Sequence, residues 1–345
     1  MSRILVTGGT GFLGAAVVDV LLARGHSVVT TVRNAVKAQQ MRAHFPSDKL
    51  DFVIVEDIAK LDAFDEAVVH DPPFDAVIHT ASPFHYNIQD IRKDMIDPAV
   101  NGTVGILQSI KKNAPTVKRA VITSSFAALF QADKPRGSKY SERDWNPVTL
   151  ETVSDPVNSG GQAGYRTSKA LAEKAAWEFM EKEKPGFTLT ALNPSLIFGP
   201  VLPWLHSVNA INTSNERFWK FISGTEKLKC SPTNSLFWVD VRDAALAHAL
   251  AAEKPEVAGK RFFLTAGNFC NREVVDIIGD AFPELRDCLP SGDEALKDGS
   301  YPPGGPAHGY DNSASRNELG LEYRSLKEST IDTVKSIQAL QNRVQ

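Results

Sequence analysis

Gly8, Gly11 and Gly14, close to the N-terminus, constrain this chain more than any other feature. The local order is Ile4-Leu5-Val6-Thr7-Gly8-Gly9-Thr10-Gly11-Phe12-Leu13-Gly14, followed by Ala15-Ala16-Val17-Val18-Asp19-Val20-Leu21-Leu22. A β-rich apolar run passes through a glycine turn into a helix-forming run. Strand, glycine turn and helix in that order open a dinucleotide-binding unit: the glycines let the backbone approach a pyrophosphate, whose charge then sits at the positive end of the helix. The spacing is G-x-x-G-x-x-G rather than G-x-G-x-x-G. Glycine turns also serve packing alone, and it is the position directly after the first strand that favours the binding reading. Gly8, Thr10, Gly11, Phe12 and Leu13 are the residues expected to hold the cofactor here.

The chain of 345 residues has material for one large or two moderate domains with an ample core. Charge is near balance, with 38 basic and 41 acidic residues and no basic run, so nucleic acid is not an expected partner. Met1-Ser2-Arg3 leads straight into the first strand, which leaves no room for a signal peptide. No apolar run approaches the roughly 20 residues that span a bilayer, so no membrane partner is expected either. Cys230, Cys270 and Cys288 are odd in number and widely spaced. They form neither a disulfide framework nor a metal-ligand pattern and read as buried or incidental thiols. These features together place the chain in the cytoplasm, without a metal.

Strand-like and helix-like stretches alternate through the first half. Ser27–Val32 reads as the second strand, behind Gly25 in a helix C-cap position. Asp51–Val55, Ala76–His79 and Arg119–Thr123 read as the third to fifth strands, and Thr188–Leu192 as the sixth. Helical periodicity fills Ala35–His44, Asp62–Val69, Asp90–Lys112 and Ala163–Glu183. Such alternation predicts an α/β Rossmann fold, a doubly wound parallel sheet with helices on both faces. Beyond Asn193-Pro194 the alternation loosens, and Pro, Gly, Trp and Ser become frequent up to Phe237. Ser300–Gly309 reads as a loop, and Leu326–Leu340 as a terminal helix. The expected division is a nucleotide-binding domain over 1–193, rejoined by about 236–264, with 194–345 mainly a smaller C-terminal substrate-binding region.

The second strand informs on the nucleotide. NAD-specific folds of this type place a carboxylate at the end of that strand for the ribose hydroxyls. Here it ends Thr30-Thr31-Val32-Arg33-Asn34, and no carboxylate occurs between Asp19 and Asp48. Arg33 is instead followed by Lys37, and a guanidinium and an ammonium at these places suit a 2′-phosphate. The competing reading is a pair of solvated surface charges, but the acid is missing as well as the base present, which favours NADP. Asp57-Ile58, just past the third strand, could frame the adenine, although Asp after a strand is also an ordinary helix cap.

Tyr165-Arg166-Thr167-Ser168-Lys169 sets a phenol and an ammonium four apart on a predicted helix, hence on one face. A free phenol has a pKa of about 10, which a fixed cation nearby lowers. Such a tyrosine can donate a proton to a carbonyl oxygen at neutral pH and take it back in reverse. The pattern recurs at Tyr323-Arg324-Ser325-Leu326-Lys327, but that copy lies far from any strand of the nucleotide fold and reads as incidental. The first copy is distinguished by its upstream context. The fifth strand ends Val121-Ile122-Thr123-Ser124-Ser125, putting hydroxyls at the carboxyl edge of the sheet, where ligands bind in open α/β folds. Either Ser124 or Ser125 could hold a substrate oxygen against Tyr165; strand-end serines are otherwise caps and turns.

Glycine turn, serines, tyrosine and lysine in this order resemble the extended short-chain dehydrogenase/reductase superfamily. Within it the chain is similar to fungal NADPH-dependent carbonyl reductases, often called methylglyoxal or isovaleraldehyde reductases, and more distantly to plant dihydroflavonol 4-reductases. The resemblance runs almost end to end. It is carried by the segment from Asp57 to Asp65, His79-Thr80-Ala81-Ser82-Pro83-Phe84, Pro98-Ala99-Val100-Asn101-Gly102 and Thr123-Ser124-Ser125. Tyr165–Lys169, Ala172–Phe179, Asn193-Pro194 and Val239-Asp240-Val241-Arg242-Asp243 continue it. It implies that Ser125 is the catalytic serine, with Tyr165 and Lys169, and that Arg33 and Lys37 bind the 2′-phosphate with Asp57 and Ile58 at the adenine. It also implies that Thr80, Ala81 and Ser82 line the cofactor, that Pro194, Ser195 and Leu196 pass the nicotinamide carboxamide, and that Lys169 holds the nicotinamide ribose. The departure from the pattern is Asn158-Ser159-Gly160-Gly161-Gln162-Ala163-Gly164, a glycine-rich and longer approach to Tyr165 that puts the substrate loop in question.

Apolar residues recur where that family forms its pocket: Phe84, Phe126, Phe130, Val201, Leu202 and Trp204, with Phe237 and Trp238 as further candidates. A pocket with apolar walls and few fixed charges suits bulky or aromatic ketones and aldehydes. Any single aromatic is more readily core than pocket, and no Arg or Lys is visibly committed to a substrate anion. The expected function is NADPH-dependent, stereoselective reduction of a small-molecule carbonyl by a monomer or homodimer. A nucleotide-sugar epimerase or dehydratase on the same fold, or a non-catalytic NADP-binding sensor, are the alternatives. The first needs a diphosphate-binding surface, and the second leaves Ser125, Tyr165 and Lys169 without a purpose.

Overall fold

The continuous apolar run Ile4-Leu5-Val6 commits the first strand to burial on both faces. The computed structural model describes residues 1–82, 90–151 and 161–344. In chain order the first half comprises β1 (Arg3–Thr7), α1 (Phe12–Ala23), β2 (Ser27–Val32), α2 (Ala35–His44), β3 (Leu50–Ile54), β4 (Ala76–His79), α3 (Asp97–Asn113), β5 (Arg119–Thr123) and β6 (Lys139–Tyr140). It continues with α4 (Gly161–Glu183), β7 (Thr188–Pro194), β8 (Leu196–Phe198), α5 (Glu216–Ile222), β9 (Phe237–Asp240), α6 (Val241–Glu253) and β10 (Arg261–Leu264). The chain ends with β11 (Gly267–Asn268), α7 (Asn271–Ala281), α8 (Asp293–Leu296), β12 (Gly309–Tyr310) and α9 (Leu326–Val344).

Seven strands form a sheet in the order β10-β7-β5-β4-β1-β2-β3, every neighbouring pair parallel. Chain order runs outward in both directions from the β1–β4 boundary, the doubly wound arrangement. Ile4 and Val6 of β1 share one core with Val17, Val18 and Leu21 of α1 and with the alanine-rich α6. Leu5, between them, packs on the opposite side with Ile106, Leu107 and Ile110 of α3 and with Ala176 and Phe179 of α4. The period-two pattern of a strand covered on both faces is thereby satisfied. A smaller sheet, β11-β9-β8, and the pair β12-β6 stand apart from the large one. Phe198, Phe218, Phe221, Trp238 and Phe269 form a separate aromatic core there with Val274, Ile278, Ile337 and Leu340 of the late helices. The chain crosses from the large sheet to the small one at Ser195, between β7 and β8.

Two sequence expectations need correction. Asp62–Val69 is a run of turns, not a helix. Phe64, Ala67 and Val68 are buried at helical spacing, but Asp65 N–H bonds Asp62 O and Val69 N–H bonds Glu66 O, so the ladder stays mostly three residues deep. The β-branched Val68-Val69 and the Asp71-Pro72-Pro73 stop leave too little chain to propagate an α-helix. The helix expected over Asp90–Lys112 opens with a π-helical turn, Arg92–Ile96, before α3 begins. Pro98, near the start of α3, has no N–H to give to the preceding turn, and the turn widens there. Among the described residues no helix is long and apolar enough to cross a membrane. The three cysteines are free, and no cluster of metal-binding side chains occurs among the described residues.

Candidate active site

The strands that carry candidate site residues end at the carboxyl edge of the large sheet, and the helices that carry them start from it. The glycine turn lies there between β1 and α1. Gly8 has φ +76°, a conformation that favours glycine, and its carbonyl accepts Gly11 N–H at 2.9 Å. A Cβ on Gly14 would stand 2.2 Å from Gly8 O and 2.8 Å from Thr80 Oγ1. A Cβ on Gly8 would stand 2.8 Å from Ala81 Cα. The turn is thus pressed against the end of β4. Gly11 caps α1 without a side-chain bond, and the first turn holds no acidic residue. The leading N–H groups of α1 stay open to an anion, so this cradle fits a dinucleotide pyrophosphate. Gly14→Ala is expected to destabilise the fold by at least about 3 kcal/mol, because the clash is with backbone, and to abolish dinucleotide binding. Thermal denaturation and a dinucleotide titration check this, with Gly186→Ala, whose Cβ meets nothing within 4 Å, as the control.

Leu13, Thr80, Ser125, Tyr165, Lys169, Pro194, Ser195 and Leu196 line one cavity of about 720 Å³. They come from α1, the ends of β4 and β5, α4 and the β7–β8 crossing, so residues distant in sequence converge over the sheet edge. Lys169 Nζ donates to Ser82 Oγ at 3.1 Å. Thr80 Oγ1 donates to Thr7 O at 2.7 Å, which ties the strand ends together. Behind them His79 is buried, its Nδ1 2.8 Å from Thr7 Oγ1. Burial, with Lys169 adding a smaller push, takes its pKa down to about 3. It is therefore a neutral ring at neutral pH and leaves Lys169 as the local cation.

The two serines differ in how they are held. Ser124 is buried and its hydroxyl donates to the Glu173 carboxylate. Ser125 lies in extended backbone, and its Oγ accepts Ala127 N–H at 3.1 Å as the cap of a short helical turn. Capping uses an acceptor lone pair and leaves the Ser125 O–H available to donate. Glu173, whose side chain is fully buried, also receives Asn193 Nδ2 at 2.7 Å and Arg261 Nε at 2.6 Å. Asn193 Nδ2 reaches Ser125 O at 3.3 Å. The sequence reading did not find this network beneath the serines.

Gly8, Thr10, Gly11, Phe12, Ala81 and Ser82 are not among the lining residues of this cavity and sit at or beside the glycine turn. Arg33 follows β2 directly and is exposed, as is Lys37 in the first turn of α2. β2 lies beyond β1 on the side away from β4, so this pair and the Tyr165 cavity flank the turn from opposite sides. Asp57 Oδ1 accepts Ala59 N–H at 2.9 Å in the turn after β3, with Ile58 partly buried beside it.

A family profile described as "NAD dependent epimerase/dehydratase family" matches residues 4–264. The chain belongs to this family. It is 42% identical over 341 residues to ketoreductase azaE of Aspergillus niger, covering 97% of each chain. It is 38% identical over 358 residues to NADPH-dependent methylglyoxal reductase GRE2 of Saccharomyces cerevisiae, covering 99% of each. The crystal structure of yeast methylglyoxal/isovaleraldehyde reductase Gre2 complexed with NADPH superposes with a TM-score of 0.85 at 36% identity, over 99% of both chains.

The substrate side of this family member departs from the sequence reading. Phe126 and Phe130 line the cavity. Val201 and Trp204 do not. Val201 is buried in the aromatic core of the smaller region, and Trp204 packs edge-on against His44 and Phe45, 5.2 and 5.8 Å between ring centroids. Phe237 and Trp238 are likewise core. These side chains maximise apolar contact where the packing offers it, whatever their distance in sequence from a strand end. Phe84 and the glycine-rich 158–160 lie outside the described residues. The walls that sequence reasoning missed include Arg166, Phe269 and Cys270, and the Ser300–Pro302 and Pro306–His308 segments. The Pro- and Gly-rich composition of 300–309 marked a loop, and nothing in it marked the cavity. The second tyrosine–lysine pair lies away from the cavity. Tyr323 shares a hydrogen bond of 2.7 Å with Ser315 Oγ, and burial pushes its pKa up.

Proposed function

We propose that this chain reduces aldehydes and ketones to alcohols, with NADPH as the cofactor. The observation that carries the reading is that Ser125, Tyr165 and Lys169 open into the same cavity as Leu13 and Pro194–Leu196. The uncapped α1 terminus and its glycine cradle fit the pyrophosphate, and Arg33 with Lys37 would hold the 2′-phosphate. Thr80, Ala81 and Ser82 would line the nucleotide, and Asp57 with Ile58 the adenine. The reductase names of the relatives support the same reading. NADPH, when bound, supplies the hydride that reduces the carbonyl carbon. Tyr165 donates its phenolic proton to the carbonyl oxygen, Ser125 O–H holds that oxygen in place, and Lys169 supplies the positive charge that favours the departing proton. Phe126 exposes an apolar wall to the substituents. Residues 1–193, rejoined by 236–264, serve as the nucleotide-binding part, and 194–345 mainly as the substrate-binding part, of a cytoplasmic monomer or homodimer.

NADPH consumption with ketones and aldehydes graded in size, with product chirality analysed, tests the activity. One dominant alcohol hand is expected, because an oxygen fixed by Tyr165 and Ser125 would leave one face of the carbonyl carbon open to hydride. Replacing Arg33 and Lys37 together is expected to weaken NADPH on the order of a hundredfold or more, at about 1.5–3 kcal/mol per charge-assisted contact, with little change for NADH. Fluorescence titration of both nucleotides checks this; equal affinity of the intact protein for NADH and NADPH would remove the assignment.

A further inference from the structure

Arg166 lines the cavity one residue after Tyr165, and the chemistry above gives it no task. Its guanidinium lies 3.9 Å from the centroid of Phe130, a ring that lines the same cavity. Stacking of this kind occupies one face of the guanidinium plane. The N–H donors lie in the plane, in the fork that matches a carboxylate, and a ring over one face leaves them uncovered. Burial pulls the pKa of Arg166 down, with the Tyr140 phenol a smaller opposing influence. The charge of the cavity has one sign. Among the described lining residues Arg166 and Lys169 are the cations, and there is no Asp or Glu. Lys169 is engaged at the catalytic end, on the helix face of Tyr165 and bonded to Ser82. Arg166, about 100° further round α4, meets Phe130 at the substrate wall. Phe130 is thus a shelf for a cation as much as an apolar surface.

We propose that Arg166 is the anion-recognising group of the substrate cavity, so that carbonyl compounds bearing a carboxylate are taken in preference to their neutral analogues. The proposal rests on the carbonyl-reductase reading and revises the expectation of a pocket with no Arg or Lys committed to a substrate anion. The test uses oxo acids of increasing chain length, each paired with its methyl ester, and follows NADPH oxidation. In the intact protein the acid of at least one pair is expected to have the higher kcat/KM. In Arg166→Met the acid-to-ester ratio for that pair falls by about tenfold or more, as expected for a lost charge-assisted contact. The loss resides in KM, and Arg166→Lys lies between the two. A second readout needs no variant: added salt raises KM for the preferred acid and leaves that of its ester unchanged. Esters preferred at every chain length, or an unchanged ratio in Arg166→Met, overturns the proposal and leaves Arg166 a packing residue on Phe130. Turnover of esters and simple ketones alone removes only the role of Arg166, whereas no NADPH oxidation with any carbonyl removes the reductase reading beneath it.

Discussion

Tyr165→Phe is expected to lower kcat for carbonyl reduction by about 10²–10⁴-fold, the usual contribution of a positioned general acid, while NADPH binding is largely retained. The substitution keeps the ring that lines the cavity beside Lys169 and Ser125 and removes the group proposed to deliver the proton. Stopped-flow measurement of the hydride step, with NADPH affinity measured separately, distinguishes lost chemistry from lost binding. Lys169→Ala should reduce both, since that ammonium would hold the nicotinamide ribose as well as favour proton release by the tyrosine. Tyr323→Phe is the matched control, because that phenol is bonded to Ser315 away from the cavity. An active Tyr165→Phe beside an inactive Tyr323→Phe would reverse the assignment.

Local rules were sufficient for the sheet edge and insufficient for its surroundings. β1, the glycine turn and α1 are legible because three signals coincide there: a β-rich apolar run, closely spaced glycines and a helix-forming run at once afterwards. Fixed spacing made Tyr165 and Lys169 legible as one helix face. The turns at 62–69 were not, because buried Phe64, Ala67 and Val68 satisfy a helical pattern whatever the hydrogen-bond depth of the backbone between them. Trp204 is expected in the pocket because it falls where the resembling family forms one, but its actual partners, His44 and Phe45, come from the first fifty residues of the chain. Arg166 carries no assignment in the sequence, since nothing local says that Phe130 will lie beneath it. Residues whose role follows from a neighbour in sequence were readable; those whose role follows from a neighbour across the fold were not.

Glu173 belongs to the second kind, and removing it is expected to be the most damaging change outside the catalytic residues. Its buried carboxylate joins Arg261, 88 residues away, to Asn193, Trp177 Nε1 and the Ser124 hydroxyl. Arg261 is itself nearly buried, stacked 3.5 Å over Trp145 and donating to the carbonyls of Glu142 and Asp144. Glu173→Ala therefore leaves a buried guanidinium without its counter-charge, a loss of about 3–5 kcal/mol, readable by chemical denaturation. Its effect on rate is a separate matter. Ser124 and Asn193 fix the end of β5, and Ser125 hangs from that end, so Glu173 acts on the reaction by positioning rather than by contact. Glu173→Leu combined with Arg261→Met separates the two roles, since replacing a buried ion pair with apolar side chains of similar volume is often neutral or stabilising. The double variant is expected to recover most of the stability yet keep a lowered kcat with KM for NADPH little changed, because the Ser124 hydroxyl and the Asn193 amide then lose the carboxylate that joins them. Recovery of stability and kcat together would reduce Glu173 to a structural ion-pair partner.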